Sequence, residues 1–444
     1  METLIVVIFV IGYLAITLEH KLKVDKLIPA LAMMAILWAI IALNHMQVFE
    51  VNAELRELEP SDLESMLLHH IGKTAEILIF LIGAMTIVEI IDYFNGFETI
   101  KNFIKTKSKV NLLWIFAILA FILSAIIDNL TATIVLITIL QKVIKDRELR
   151  LWFAGLIVIA ANSGGAWSPI GDVTTTMLWI GKKVSASQLI EHVLIPSLVS
   201  FIIPVLIASK LKPFKGNIDV NFDDAEIKTT KHGATMLYLG LGGIIFVPIF
   251  KTMTHLPPYV GMMLSLAIVA TFAEIFSRKI FSLTTLDEES EATAHHSPVH
   301  HSLGRIELPS ILFFLGILMA VAALESLGQL FHFAEGLNQA IPNTDIVVGL
   351  LGIGSAVIDN VPLVAASMGM FSNPEDSPLW HFIAYSAGTG GSMLIIGSAA
   401  GVVAMGLEKI DFFWYLKKIS WLAFLGFIGG AISFVLIRDF ILNA

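Results

Sequence analysis

Cysteine is absent from the chain, so neither a disulfide nor a thiolate metal site holds any part of it. Charge is scarce as well. Asp, Glu, Lys and Arg make up 15% of residues against 56% hydrophobic ones, which excludes a soluble domain of ordinary composition. No Walker loop, Rossmann fingerprint or His-Glu-x-x-His pair occurs, so ATP hydrolysis, dinucleotide chemistry and zinc catalysis have no support, and no cofactor is expected. The first apolar segment lacks a basic leading region and a small-residue cleavage site, and is expected to stay as a span. The net charge of -9 collects in polar stretches such as Glu50–Glu64 and Asp219–Glu226, which read as solvated loops and point to no nucleic-acid partner.

What fills the chain instead is a double series of apolar segments. They lie near 3–17, 27–43, 75–94, 111–143, 151–180 and 193–208, then near 235–251, 259–276, 309–327, 345–371, 379–406 and 412–437. The expected fold is an all-α polytopic membrane protein built from two repeats of six elements, 1–208 and 233–444, joined by a cytoplasmic linker at 209–232. Three motifs recur in the same order. Gly83 and Asp92 match Gly316 and Glu325 at the same spacing; Ser124-Ala-Ile-Ile-Asp-Asn129 returns as Ser355-Ala-Val-Ile-Asp-Asn360; and Asn162–Asp172 aligns without a gap over Gly388–Ser398.

Each fourth element is interrupted by Asp-Asn, with arms in the first copy too short for two full crossings, so a re-entrant helical hairpin is expected. Five crossings per half is odd, which makes the repeats inverted. With the N-terminus outside, 22 of the 28 Lys and Arg fall on the inner side, satisfying the positive-inside rule and placing both termini outside.

The fifth elements carry Gly164-Gly165 and Gly390-Gly391 among hydroxyl and amide residues, with Pro169 in the first copy, and are expected to be broken helices. Unwound backbone survives at membrane depth only where it is buried or lines a cavity, and in inverted repeats such breaks hold ions. An Asp in the membrane costs about 2.5–3.5 kcal/mol, so Asp128 and Asp359 signal an ion or proton pathway. The first half has more oxygens. Asp128, Asn129, Asn162, Ser163 and Asp172, with Thr174 and Thr175, are candidate Na+ or Li+ ligands or orienting groups. Ser355, Asp359, Asn360 and Thr389 are their second-half counterparts, while Asp172 faces only Ser398. Asp172 is therefore expected to matter more than Ser398. Glu89, Asp92 and Glu325 are candidate proton carriers. The histidines His69-His70, His295-His296 and His300-His301 read as surface or loop residues.

The run Ser124–Val135, the segment Asp146–Arg150 and the stretch Ala160–Gly181 resemble the NhaD type of bacterial sodium/proton antiporter, within the ion transporter superfamily. The likeness extends along the whole chain, including Gly83–Glu89. The resemblance implies exchange of external H+ for internal Na+ or Li+ in the bacterial inner membrane, serving salt and alkali tolerance; in that membrane the outside placement given by the charge count makes both termini periplasmic. It also implies a homodimer with a scaffold and a moving transport domain. Position by position it supports Asp128, Asn129, Asn162, Asp172, Thr174, Thr175, Ser355, Asp359 and Asn360. A sodium-coupled carboxylate transporter of the same superfamily is the alternative, disfavoured because the motif stretches hold no Lys or Arg. An intramembrane aspartyl protease would need Gly where Pro169 stands, and leaves the second half unexplained.

Overall fold

The computed structural model describes residues 1–17, 22–52, 57–103, 106–218, 232–284, 297–357 and 360–442. The first half builds α1 (Glu2–Thr17), α2 (Leu27–Leu43), α3 (Leu63–Tyr93), α4 (Lys109–Ile127), α5 (Asn129–Val143), α6 (Arg147–Ala166), α7 (Val173–Ile180) and α8 (Ala186–Ser209). The second builds α9 (Gly233–Thr254), α10 (Pro258–Thr284), α11 (Pro298–Leu303), α12 (Leu308–Ser326), α13 (Gln329–Ala340), α14 (Thr344–Gly354), α15 (Asn360–Met370), α16 (Pro378–Gly390), α17 (Ala399–Glu408), α18 (Phe412–Lys418) and α19 (Ser420–Ile437). Among the described residues eight helices are long and apolar enough to cross a membrane: α3, α4, α6, α8, α9, α10, α12 and α19. The protein is a multi-pass membrane protein.

Two elements differ from the hydropathy pattern. α3 starts at Leu63, well ahead of the apolar run near 75, because Asp62 caps it: its carboxylate accepts from the backbone N–H of Glu64 at 3.1 Å and of Ser65 at 3.2 Å. The polar insertion before it holds an antiparallel hairpin, β1 (Val48–Asn52) against β2 (Glu57–Ser61) with Val48 opposite Ser61, so the chain is nearly rather than wholly helical.

The fourth and fifth elements of both halves are interrupted where the motifs lie. α4 gives way to α5 at Asp128, α14 to α15 between Gly354 and Asn360, α6 to α7 between Ala166 and Val173, and α16 to α17 between Gly390 and Ala399. α14 and α15 have 11 residues each, about 16 Å of rise, roughly half the hydrocarbon core. The first break in the fifth element lies just beyond the glycine pair: Gly164 and Gly165 remain helical, and the chain leaves α6 at Trp167. Pro169 enforces the break, since it has no N–H and its ring would collide with the carbonyl one turn back.

The glycines serve close approach. A Cβ on Gly164 would lie 2.2 Å from the Phe121 carbonyl oxygen, and one on Gly390 would lie 2.1 Å from that of Gly352. Across each break, Gly165 faces the Gly171 oxygen and Gly391 the Gly397 oxygen, both at 2.6 Å from the missing Cβ. Ser124 Oγ donates to the Ala161 carbonyl at 2.6 Å, and its counterpart Ser355 Oγ to the Ala387 carbonyl at 3.3 Å. Aligned positions thus make the same contacts in both halves.

The chain divides into two compact units, residues 1–78, 116–215 and 309–444 in one, and 79–115 with 216–308 in the other. Within the larger, α19 packs on α8 through Gly426 and Gly430, whose missing Cβ atoms would strike the Ser200 and Pro196 carbonyls at 2.1 and 2.6 Å. Within the smaller, the α3 glycine Gly83 seats against Met262 and Met263 of α10.

Candidate functional site

Four half-helices begin at one place in the larger unit, and their first residues form a hydrogen-bonded cluster. Asp172 caps α7, with Oδ1 accepting from the Thr174 N–H at 3.2 Å. Its Oδ2 accepts from two amides: Nδ2 of Asn129, the first residue of α5, and Nδ2 of Asn360, the first residue of α15, each at 3.1 Å. One comes from each half of the sequence. Asn129 Nδ2 also donates to Asn162 Oδ1 at 3.1 Å, and Asn162 Nδ2 donates to Ser398 Oγ at 2.9 Å. Ser398 in turn caps α17 by accepting from the Gly401 N–H at 3.2 Å. All five side chains belong to buried residues. A carboxylate can only accept, so Asp172 dictates that both amides present their NH2 groups to it.

Asp128 occupies a different position in the network. Its φ of 79° and ψ of 158° fall in a region open almost only to glycine, so a carboxylate is held here at a cost of about 1–3 kcal/mol in strain. The strained turn aims both oxygens at Thr131: Oδ1 accepts from its N–H at 2.8 Å and Oδ2 from its hydroxyl at 2.9 Å, capping α5 directly before Asn129.

Of the remaining candidates, Thr174 is fully buried beside Asp172, with a hydroxyl that has no hydrogen-bond partner among the described residues. Thr175 Oγ1 ties α7 back to the Asp172 carbonyl at 2.9 Å and the Gly165 carbonyl at 3.4 Å. Among the described residues, no hydrogen bond brings Ser163, Ser355 or Thr389 into the cluster. Ser163 Oγ bonds the Ile159 carbonyl at 2.8 Å and lies 3.1 Å from Ser200 Oγ on α8. Ser355 and Thr389 hydroxyls return to carbonyls of their own helices, Gly352 at 2.9 Å and Tyr385 at 2.6 Å. Asp359 and the pair His295-His296 lie outside the described residues.

The candidate proton carriers sit elsewhere. Glu89 and Asp92, one turn apart on α3, face Arg305 at 3.5 and 3.7 Å, an ion pair rather than a direct hydrogen bond. Glu325, in the last turn of α12, points its carboxylate at Gly369 of α15, where an added Cβ would lie 3.2 Å from Oε2. Lys73 and Lys183 are the cations whose charge it senses. His70 Nε2 lies 3.1 Å from Ser326 Oγ and His301 stacks edge-on to Tyr93, both packing roles.

Ser398 is the cluster member absent from the candidate ligands of the sequence. Its signal was present: it aligns with Asp172 and can cap a helix, but its bond to Asn162 links positions 236 apart. The set holds one carboxylate and several neutral oxygens and amides, with no basic side chain. Such hard, weakly charged donors suit a monovalent alkali cation.

The description of the family model that matches residues 3–381 is citrate transporter. Sodium/proton antiporter 1 of Arabidopsis thaliana is 41% identical over 97% of this chain and 72% of its own length. The Na+/H+ antiporter NhaD of Vibrio cholerae is 32% identical over 92% of this chain and 86% of its own. The solved YdaH transporter of Alcanivorax borkumensis shares the fold, with a TM-score of 0.55 at 13% identity over 93% of this chain and 97% of that one.

Proposed function

This chain belongs to the citrate-transporter family and, within it, stands with the NhaD-type sodium/proton antiporters, and from that premise we propose that it exchanges Na+ or Li+ for H+ at the cluster around Asp172. The observation that carries the proposal is the buried Asp172 carboxylate, whose single oxygen Oδ2 takes amide donors from both halves of the chain. A carboxylate so placed accommodates a cation or a proton, and competition between them is antiport. As found, the carboxylate is satisfied by N–H groups. A cation seated on Oδ2 displaces those donors, and rotating the Asn129 and Asn360 amides brings their oxygens to it instead. Proton binding leaves the donors less reason to face Asp172 and releases the cation.

The family description gives a carboxylate substrate its standing as second reading. An anion would seek the positive ends of the half-helices. At α5, α7 and α17 those ends are already taken by Asp128, Asp172 and Ser398. Two carboxylates at the same poles repel a third.

A repeat is supported by the matched contacts of Gly164 with Phe121 and of Gly390 with Gly352, and its inversion by the charge distribution. On this basis 1–208 and 233–444 are the repeats, both termini face the periplasm of a bacterial inner membrane, and 111–180 with 345–406 move as a transport body. A homodimer follows from the superfamily resemblance.

The test uses sealed everted vesicles with a pH-sensitive dye. Na+ and Li+ should collapse an imposed proton gradient between pH 6 and 10. No response to either, together with Na+-dependent uptake of a carboxylate, would overturn the proposal.

A further inference from the structure

The segment Asp146–Arg150, part of the sequence likeness, plays no part in the cluster, yet it ties the first half of the chain to the second through several hydrogen bonds. Asp146 caps α6 by accepting from the Glu148 N–H at 3.0 Å, which sets Arg150 in the first turn. Arg150 Nε donates to Glu408 Oε1 at 3.0 Å and Oε2 at 3.1 Å. Its Nη1 donates to the carbonyls of Ile144 at 3.1 Å and Lys145 at 2.9 Å, just past the end of α5. Beside it, Arg147 Nη2 reaches the Lys409 carbonyl and Gln141 Nε2 the Leu407 carbonyl, both at 3.3 Å.

Glu408 is an unusual residue to end a helix. It is the last residue of α17, at the negative pole of that helix, and its side chain is 1% exposed. A buried carboxylate at a helix C-terminus is disfavoured twice, by desolvation and by the dipole, and persists only with a cation against it. A guanidinium reaches a carboxylate and two carbonyls in different directions at once, which a single ammonium does poorly.

The other ends of the same helices lie in the cluster. α5 begins with Asn129 and α17 is capped by Ser398, and Asn162 of α6 bonds both. Arg150 and Asn162 are 12 residues apart on α6, about 18 Å along its axis. α6 is therefore a rod with a polar link at each end, and both links hold the same two neighbours, one from each half.

We propose that Arg150 and Glu408 are a positioning pair that locks the register of α5 and α17 along α6 and so keeps Asn129 and Ser398 aligned at the cation cluster. This rests on sodium/proton exchange at that cluster. Loss of the link lets either half-helix slip along its axis, and the substrate end feels the slip as weaker cation affinity.

Arg150→Met, Arg150→Lys and Glu408→Gln would be assayed for Na+-driven exchange in vesicles. Spin labels on Thr138→Cys, at an exposed position of α5, and Val403→Cys in the Cys-free chain would report the α5 to α17 distance. The expected result for Arg150→Met is an apparent KM for Na+ raised tenfold or more, a maximal rate within threefold of the parent, and a broadened distance distribution. Arg150→Lys should fall between Arg150→Met and the parent, and Glu408→Gln, which keeps one acceptor, should move KM least. A lowered thermal stability with KM within twofold and an unchanged distance in folded Arg150→Met would make the pair merely structural and overturn the proposal. Should Arg150→Met not fold, Arg150→Lys decides on the same two readouts. Absence of exchange in the parent chain counts against the transport function, and the spin-label distances then decide the clamp alone.

Discussion

Replacing Asp172 by Asn is the severest perturbation the cluster offers at nearly constant volume. It removes one negative charge and turns one of two acceptor oxygens into a donor. At an effective dielectric of about 20, a cation about 4 Å from a carboxylate gains about 4 kcal/mol, and at about 1.4 kcal/mol per decade the loss is about a thousandfold in apparent Na+ affinity. Whichever way it turns, the new NH2 also confronts either the amides of Asn129 and Asn360, which both donate to Oδ2 at 3.1 Å, or the Thr174 N–H, which donates to Oδ1 at 3.2 Å. At least one of those donors loses its acceptor, at about 1–3 kcal/mol. Dye-monitored exchange in everted vesicles, at matched expression and with monodisperse protein in detergent, should therefore show the apparent KM for Na+ raised about a thousandfold, or no exchange. Ser398→Ala supplies the contrast. It deprives Asn162 Nδ2 of a neutral acceptor at 2.9 Å, about 1 kcal/mol, and should raise KM about fivefold without abolishing exchange. Near-normal KM in Asp172→Asn beside a dead Ser398→Ala would refute the assignment of Asp172 as the cation-holding group.

Three further outcomes follow from the geometry. Asp128→Gly and Asp128→Ala both lose the cap, but only Ala keeps the backbone strain, so Asp128→Ala should melt below Asp128→Gly in detergent, the pair differing by about 1–3 kcal/mol. Gly164→Ala and Gly390→Ala each drive a methyl into a carbonyl oxygen and should both cut folded yield in size-exclusion chromatography; normal yield from either would show that its helix contact is looser than described. Arg305→Ala removes a half-exposed partner of Glu89 and Asp92 and should change stability by under about 1 kcal/mol, and Glu89→Gln should retain exchange within about threefold; complete loss in Glu89→Gln would make that carboxyl a proton carrier.

The interruptions were legible because their causes are local. An Asp-Asn pair inside an apolar run cannot sit in lipid as plain helix, and Pro169 cannot continue one. The role of Gly164 and Gly165 was not fully legible, since glycine marks both broken helices and close packing; only the Phe121 carbonyl, 43 residues back, shows that close approach is its use here. Asn129, Asn162, Asp172 and Asn360 were each readable as polar residues at membrane depth. Their convergence on one cluster was not, because hydropathy carries no information on which hairpin faces which break, and a site in each half satisfies the sequence equally well. Ser163, Ser355 and Thr389 were readable as buried hydroxyls but not by their bonds: each returns to a carbonyl of its own helix, as a hydroxyl in an apolar helix readily does, and Ser163 and Ser355 also reach a neighbouring helix. Arg305 escaped notice because its partners on α3 lie more than 200 positions away.

The sharing of Asp172 Oδ2 by Asn129 and Asn360 bears on how such a chain can arise and be taken apart. Two copies of the first half, assembled as a dimer of identical pieces, would bring two aspartates to a place with room for one charge. Two copies of the second half would bring two serines and no charge at all. Each half supplies one amide to the shared oxygen, but only the first supplies the oxygen itself. With Asp172 at that aligned position in one half and Ser398 in the other, the two halves are complementary rather than interchangeable at the cluster. Neither half, swapped for a second copy of the other, rebuilds the site.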